Sequence, residues 1–298
     1  MRVLVTGADG FVGGYLVPRL VDRGHQVLAL HGPRAQERPR ADLQSRELLR
    51  REIGSFCPEV VVHLAGQSSV KRAWDWPQLT VAVNVIGTLN LWEVAAQEAL
   101  CHFIYVSSAE VYGDRATIPI TEDHPVQPMN PYAVSKVAAE ELLNQLNERS
   151  GRKPRLTILR PFAHVGPGQS EEFAVASFAR QVREAGQHVY VGNLAVVRDF
   201  LDVRDVVEAY CLAVESPTLS GTFNIASGVG RALKDVLGDL MRLAQREQLE
   251  VRTDPTRLRP REARAIVGNA ERFQAATGWA PKVAWEDTLK DILLALER

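Results

Sequence analysis

The chain has 298 residues, 46% of them hydrophobic and 24% charged, which is the balance of an ordinary globular protein. Lysine and arginine total 35 against 36 aspartate and glutamate, so no basic excess points to nucleic acid. No apolar run is long enough to cross a membrane. The three cysteines, Cys57, Cys101 and Cys211, are too scattered for a disulfide framework or a zinc site. We therefore expect a cytoplasmic protein with no metal and no membrane partner.

Strand and helix signals alternate through the first half of the chain. The β-branched runs that predict strands are RVLVTG, HQVLAL, EVVVHLAG, HFIYVSS and RLTILRP. The segments with helical spacing between them are GYLVPRLVDRG, RELLRREIGSF, VNVIGTLNLWEVAAQEAL and PYAVSKVAAEELLNQLNERSG. This alternation predicts a parallel sheet covered by helices on both faces. After Pro161 the pattern loosens, and the remainder predicts a smaller domain interleaved with the end of the sheet domain.

A glycine motif follows the first predicted strand. In VTGADGFVGGYL, Gly7, Gly10 and Gly13 have the spacing G-x-x-G-x-x-G at the junction with the first helix. Glycines there allow the backbone to approach a pyrophosphate, and the helix N-terminus supplies free N–H groups. We therefore expect a nicotinamide dinucleotide along this loop, in contact with Gly7, Asp9, Gly10, Phe11, Val12 and Gly13.

The end of the second strand should read the adenosine ribose of that dinucleotide. An acidic residue there binds a free 2′-hydroxyl, whereas an arginine pairs with a 2′-phosphate. Here Leu30 is followed by His31, Gly32, Pro33 and Arg34, without a carboxylate. This favours NADP(H) modestly, with Arg34 as the clamp, but a solvated loop arginine is an equal alternative and NAD(H) stays open. The adenine edge and the floor of the site are expected to involve Asp42, Leu43, Leu64, Ala65 and Gly66.

A candidate catalytic group lies in VSSAEVYG and PYAVSK. Tyr132 and Lys136 are four residues apart, so they share one helix face. A lysine cation lowers the pKa of a neighbouring phenol and can hold a ribose hydroxyl, while Ser108 can bond the same carbonyl oxygen. Glu110 has three possible roles: a base that removes a proton from carbon, a partner for substrate hydroxyls, or a strand-end residue that meets water.

These motifs resemble the extended short-chain dehydrogenase/reductase family that acts on nucleotide sugars. The segments that carry the resemblance are TGADGFVG, HLAGQSSV, NVIGTLNL, VSSAEVYG, PYAVSK, GTFNIASG and TGWAPK. The resemblance implies an α/β fold, with a Rossmann doubly wound parallel sheet and a smaller C-terminal α/β substrate domain. It places an NAD(P)-binding domain at 1–161, with a returning segment near 195–216, and a mainly nucleotide-sugar-binding domain at 162–298. It also implies that Ser108, Tyr132 and Lys136 are catalytic.

The family often forms homodimers through a four-helix bundle, and the helices at about 82–99 and 132–149 carry apolar faces that suit one. Within the family, RPFAHVGPGQ and RLRPREARAIVGNAERFQAATGWAPK resemble the branch that handles GDP-mannose derivatives. The substrate is then a GDP-sugar, and the residues expected to bind it are Ser68, Ser108, Glu110, His164, Gln169, Arg198, Arg259 and Glu262. Arg198 and Arg259 would chelate the diphosphate and Glu262 would accept from ribose hydroxyls. The chain departs from the pattern at Ala163, where many members carry asparagine.

The expected reaction is NAD(P)H-dependent reduction of the C4 ketone of GDP-4-keto-6-deoxy-D-mannose to GDP-D-rhamnose. The loop after the second strand is short, and HVGPGQS differs from the sugar loop of the dehydratases. The alternatives are a GDP-mannose 4,6-dehydratase, a nucleotide-sugar 4-epimerase and a non-catalytic family member. Under the reductase hypothesis Glu110 is a partner for sugar hydroxyls rather than a base.

Overall fold

The computed structural model describes residues 1–297 apart from 33–41, 99, 116, 150–153, 185 and 260. Its strands are β1 (Arg2–Thr6), β2 (Gln26–Leu30), β3 (Val60–His63), β4 (His102–Val106), β5 (Arg155–Pro161), β6 (Ala163–Val165), β7 (His188–Val191), β8 (Val197–Asp202), β9 (Gly221–Ile225), β10 (Gly230–Ala232), β11 (Glu250–Thr253) and β12 (Ala265–Ile266). Its helices are α1 (Phe11–Asp22), α2 (Arg46–Gly54), α3 (Val70–Asp75), α4 (Pro77–Val81), α5 (Gly87–Ala95), α6 (Pro131–Arg149), α7 (Ala174–Glu184), α8 (Val203–Glu215), α9 (Leu233–Leu243), α10 (Glu271–Thr277) and α11 (Trp285–Ala295). Within the described ranges, no helix is long and apolar enough to cross a membrane.

Six strands form one parallel sheet in the order β2-β1-β3-β4-β5-β9. In β1, Val3 and Val5 pack into the core on one face, while Leu4 packs into the core on the other. Both faces are therefore covered, which is the condition that a parallel sheet requires. The predicted α/β fold class is confirmed. Strand order reverses at β1, and ligands bind such sheets outside the carboxyl ends of the strands at that point.

A smaller unit follows β5. Strand β8 pairs with β6 and β12 in parallel and with β10 in antiparallel fashion, and β7 pairs with β11. A separate apolar cluster, which includes Phe178, Leu240 and Leu289, joins helices α7, α9 and α11. The chain returns to the main sheet through α8, which packs against α1, and through β9, which pairs with β5. The division of the chain at residue 161 stays a prediction.

A buried ion pair ties the main sheet to helix α6. Arg160 of β5 donates to both carboxylate oxygens of Glu140, at 3.1 and 2.5 Å. It also donates to the Tyr112 hydroxyl at 3.0 Å, which in turn donates to Asn224 of β9 at 2.7 Å. All four side chains are buried. Because a buried charge without a partner is costly, this network fixes α6, β5, β9 and the turn that carries Tyr112 relative to one another.

We expect Arg160→Met to lower the free energy of unfolding by about 3–5 kcal/mol, since it leaves the Glu140 carboxylate buried and unpaired. Adding Glu140→Leu should restore part of that loss. The matched control is Arg183→Met, which breaks an exposed pair with Glu297 and should cost about 1 kcal/mol or less. Urea denaturation gives all four values. An equal loss of unfolding free energy in Arg160→Met and Arg183→Met would contradict the stabilising role of the buried pair.

Candidate active site

The glycine loop packs against the carboxyl end of β3. Gly7 has a φ of +73°, and a Cβ there would lie 2.8 Å from the backbone nitrogen of Ala65. A Cβ on Gly13 would lie 2.2 Å from the carbonyl oxygen of Gly7. Among the described residues no side chain caps the N-terminus of α1, so its first N–H groups are available to an anion. The loop thus has the shape and the donors that fit the pyrophosphate of a dinucleotide.

The other predicted cofactor residues surround this loop. The Asp9 carboxylate accepts from the Gly32 N–H at 3.1 Å, just beyond β2. Phe11 stacks on His164 with ring centroids 6.2 Å apart. Val12 and Leu64 are partly buried against the core of the sheet. Arg34 lies outside the described residues.

Asp42 and Leu43 precede α2. The Asp42 carboxylate accepts from the Gln44 N–H at 2.9 Å, which forms a turn. Leu43 is buried, and its carbonyl accepts from Asn90 at 2.9 Å. The predicted contact of these two residues with adenine stays a prediction.

Tyr132 and Lys136 lie one turn apart at the start of α6, beneath the end of β4. The Lys136 Nζ donates to the Val106 carbonyl at 2.9 Å and lies 6.0 Å from the centroid of the Tyr132 ring. A Cβ on Gly66, at the end of β3, would be 3.7 Å from Nζ. Ser108 begins the turn after β4, and its hydroxyl accepts from the Glu110 N–H at 3.2 Å. The fold therefore gathers the three predicted catalytic side chains at the edge that holds the glycine loop.

Burial dominates the protonation of this group. It raises the pKa of Tyr132 to about 12; a hydrogen bond with Ser108 lowers that pKa, and the Glu110 charge raises it. The effect of Lys136 on the phenol's pKa stays a prediction, since desolvation is the largest contribution here. Burial also lowers the pKa of Lys136 to about 8, against an upward effect of Glu140. The phenol is accordingly protonated near neutral pH, which is the form that donates a proton.

Glu110 is held by a residue that the sequence analysis missed. The Asn130 side-chain amide donates to the Glu110 Oε2 at 3.0 Å, and its oxygen accepts from the Ala133 N–H at 2.8 Å. Asn130 therefore caps the helix that carries Tyr132 and also orients the carboxylate. An asparagine directly before a helix-starting proline was the available signal, because asparagine is a preferred N-cap.

A second missed residue, Asn84, joins the loop after β3 to α6. It lies in a π-helical stretch, Ala82–Ile86, of a kind often found at functional sites. Its amide nitrogen donates to Ser135 and to the Gln67 carbonyl, both at 3.0 Å, and its oxygen accepts from the Gln67 N–H at 2.7 Å. Ser68, the next residue of that loop, is exposed.

The predicted diphosphate ligands meet around one carboxylate. Glu262 lies 3.8 Å from Arg198 and 3.6 Å from Arg259. Arg198 is further oriented by bonds from Nη1 to the carbonyls of Val197 and Ala263, at 2.9 and 3.0 Å. Burial lowers the pKa of Arg198, while the charges of Glu110 and Glu262 act in the opposite direction.

A cleft runs away from Glu110 past these arginines. The small space beside Glu110 is lined by Glu110, Gly113, Met129, Asn130, Arg198, Arg259, Arg261, Glu262 and Ala263. Arg259 and Glu262 also line an open cavity of about 620 Å³, together with Val191, Gly192, Asn193, Leu194, Ala195, Val251, Thr253 and Leu258. The sequence analysis missed Arg261 and the 191–195 segment, although the run RLRPRE offered a signal for the arginine.

His164 and Gln169 lie on the glycine-loop side of this cleft. Gln169 donates to the His164 carbonyl at 2.8 Å, and its Oε1 is buried without a hydrogen-bond partner in the described part of the chain. His164 Nδ1 lies 3.2 Å from the Phe162 carbonyl, and burial lowers the pKa of the imidazole. Gln169 thus has a buried acceptor that no described residue satisfies, whereas His164 is a neutral ring packed on Phe11.

Three comparisons with known proteins extend over both the glycine loop and the cleft. A family model described as GDP-mannose 4,6 dehydratase matches residues 4–292. The GDP-6-deoxy-D-mannose reductase of Pseudomonas aeruginosa is 37% identical over 98% of this chain and 96% of its own length.

Solved structures agree with these sequence matches. A structure of RMD from Pseudomonas aeruginosa complexed with NADPH has a TM-score of 0.88 and 36% identity, covering 99% of this chain and 98% of the other. The UDP-glucose 4-epimerase of Thermus thermophilus in complex with NAD has a TM-score of 0.90 and 31% identity, covering 100% and 99%.

We expect Tyr132→Phe to lower turnover of a carbonyl substrate by about 10²–10⁴-fold, because the variant lacks the proton donor. The dissociation constant of a nucleotide-sugar ligand, measured by calorimetry, should stay nearly unchanged. Tyr190→Phe is the matched control, since this exposed hydroxyl lies on β7. Full activity in Tyr132→Phe would refute the role of the phenol.

Proposed function

Since this chain belongs to the GDP-mannose 4,6 dehydratase family of extended short-chain dehydrogenase/reductases, we propose that it reduces the C4 ketone of GDP-4-keto-6-deoxy-D-mannose to GDP-D-rhamnose with NAD(P)H. The observation that carries the proposal is the match to a GDP-6-deoxy-D-mannose reductase along nearly the whole chain, together with the grouping of Ser108, Tyr132 and Lys136 at the end of β4. Burial raises the pKa of Tyr132 to about 12, so the phenol holds a proton that it can donate to a ketone.

The chain's own residues account for the proton transfer. NAD(P)H, when bound along the glycine loop, supplies the hydride to C4. Tyr132 donates its proton to the oxygen that gains charge at C4, and Ser108 donates a hydrogen bond to the same oxygen. Lys136 then lies close enough to stabilise the phenolate that remains, at 6.0 Å from its ring centroid. The turn after β4 and helix α6 thus supply the acid, the oxyanion donor and the neighbouring cation.

The cleft accounts for the nucleotide. With the sugar beside Glu110, the diphosphate falls between Arg198, Arg259 and Arg261, and the nucleoside enters the cavity beyond them. Glu262 keeps the two predicted arginines close together against their mutual repulsion. Forked guanidinium donors suit phosphate oxygens. Ala163 offers no polar side chain, so Arg261 supplies a further donor in this picture.

Glu110 serves as a hydrogen-bond partner of the sugar in this proposal. The Asn130 amide donates to its Oε2 at 3.0 Å, which fixes the orientation of the carboxylate. Its other oxygen is left for sugar hydroxyls.

The direct test supplies GDP-4-keto-6-deoxy-D-mannose with NADH or NADPH, follows the absorbance of the reduced nicotinamide and identifies the product by NMR. Stoichiometric consumption of the nicotinamide with formation of GDP-D-rhamnose is the expected result. A parallel incubation supplies GDP-mannose alone. Conversion of GDP-mannose without a reductant would establish the dehydratase instead and overturn the proposal.

We expect Glu110→Gln to keep kcat within about tenfold of the wild type while raising KM for the keto-sugar, because hydrogen bonding to sugar hydroxyls is weakened but the proton donor is intact. Steady-state kinetics separate the two constants. Glu141→Gln, an exposed change on α6, serves as the control. Complete loss of reduction in Glu110→Gln alone would contradict this role.

The proposal includes a homodimer and a cytoplasmic location, the latter supported by cysteines that form no disulfide within the described residues. Helices α4 and α6 and the π-helical stretch pack together and expose Leu79, Ile86, Val134 and Leu142, each between 39% and 51% exposed. An apolar surface of this kind is typical of an interface. The corresponding helices of a second copy would complete a four-helix bundle.

We expect Val134→Glu with Leu142→Glu to convert the dimer to a monomer, because the substitutions place charges in an apolar contact. Size-exclusion chromatography with light scattering measures the mass. Leu294→Glu is the control, since this equally exposed leucine lies on α11. A monomeric wild type, or an unaffected double variant, would exclude this interface.

A further inference from the structure

A carboxylate lies at the end of β2, although the strand itself ends without an acidic residue. It belongs to Asp9 of the glycine loop, which is 23 positions before Gly32 in the chain. The Gly32 N–H donates to Asp9 Oδ1 at 3.1 Å, and a Cβ built on Gly32 would lie 3.4 Å from Oδ2. Asp9 is otherwise exposed at the rim of the loop.

This position is where Rossmann folds read the adenosine ribose. A carboxylate there accepts from the free ribose hydroxyls of NAD(H), whereas it repels the 2′-phosphate of NADP(H). That phosphate carries most of two negative charges, so a fixed carboxylate at hydrogen-bond range opposes its binding strongly. The contact with Gly32 uses Oδ1 of Asp9, and the side chain as a whole is exposed.

The local backbone explains why the carboxylate stays in place. Asp9 directly precedes Gly10, the N-cap of α1, so its charge lies at the positive end of the helix dipole. Gly10 N donates to the Gly7 carbonyl at 3.0 Å, which closes the turn under Asp9. The hydrogen bond from Gly32 then fixes the carboxylate against the backbone just beyond β2.

We propose that Asp9 is the residue that selects NADH over NADPH in this chain. The inference rests on the proposed function only for the identity of the cofactor as a nicotinamide dinucleotide. The sequence alone favoured NADP(H), because Arg34 follows β2 and no carboxylate does. The fold reverses that preference by bringing the Asp9 carboxylate from the glycine loop to the end of β2. The proposed preference for NADH also differs from the cofactor in the Pseudomonas aeruginosa structure, which was solved with NADPH.

The test measures dissociation constants of NADH and NADPH by fluorescence titration, without any sugar. The wild type should bind NADH at least about tenfold more tightly than NADPH. Asp9→Ala and Asp9→Asn should each strengthen NADPH binding by at least about tenfold, because both remove the charge. A gain of affinity cannot arise from misfolding. Asp22→Asn, an exposed change at the far end of α1, is the control and should leave the ratio unchanged.

Three outcomes would overturn the inference. The first is a wild type that prefers NADPH, with a ratio that neither Asp9 variant changes. The second is a ratio that changes in Arg34→Ala and not in the Asp9 variants. The third is a wild type that binds neither dinucleotide, which would also remove the cofactor assignment. Normal dinucleotide binding without reduction of the keto-sugar would count against the reductase function and leave the selection by Asp9 supported.

Discussion

The buried pair of Glu140 and Arg160 is the constraint on which the rest of the site depends. Two charges removed from water must satisfy each other, so α6 cannot shift along β5 without breaking the bonds at 3.1 and 2.5 Å. Lys136 lies one turn before Glu140 on that helix. Arg160 also holds Tyr112, which closes the turn that contains Glu110. The guanidinium of Arg160 therefore holds both the helix that carries Tyr132 and the turn that carries Glu110.

Burial of the site also shifts the pKa values of the proposed catalytic residues. Burial raises the pKa of Tyr132 to about 12 and lowers that of Lys136 to about 8, so near neutral pH the phenol is uncharged while the lysine remains mostly a cation. A neutral phenol suits proton donation to a ketone, which is the direction of a reductase. Where charge is needed, the fold supplies partners. Glu262 lies between Arg198 and Arg259, and Asn130 bonds the carboxylate of Glu110.

The proposed cofactor and substrate sites meet at one edge because the topology of the sheet brings their residues together. Parallel strands bring their carboxyl ends together, so the loop after β1 and the turn after β4 face the same space. The smaller unit then closes that space from the far side, with β8 carrying Arg198. In our proposal, the choice of dinucleotide depends on one contact made by this edge, the hydrogen bond between Asp9 and Gly32.

Local patterns were enough to predict the parallel sheet, the glycine loop and the pairing of Tyr132 with Lys136. Strand alternation and the helical spacing of four residues are properties of neighbouring positions, so they can be recognised in the sequence. Asn130 bonding to Glu110, Asp9 reaching β2 and Glu262 lying between two arginines could not be recognised in this way. Each depends on the distance between segments that only folding brings together. The raised pKa of Tyr132 depends on how completely the surrounding chain excludes water, and that burial is a property of the whole fold.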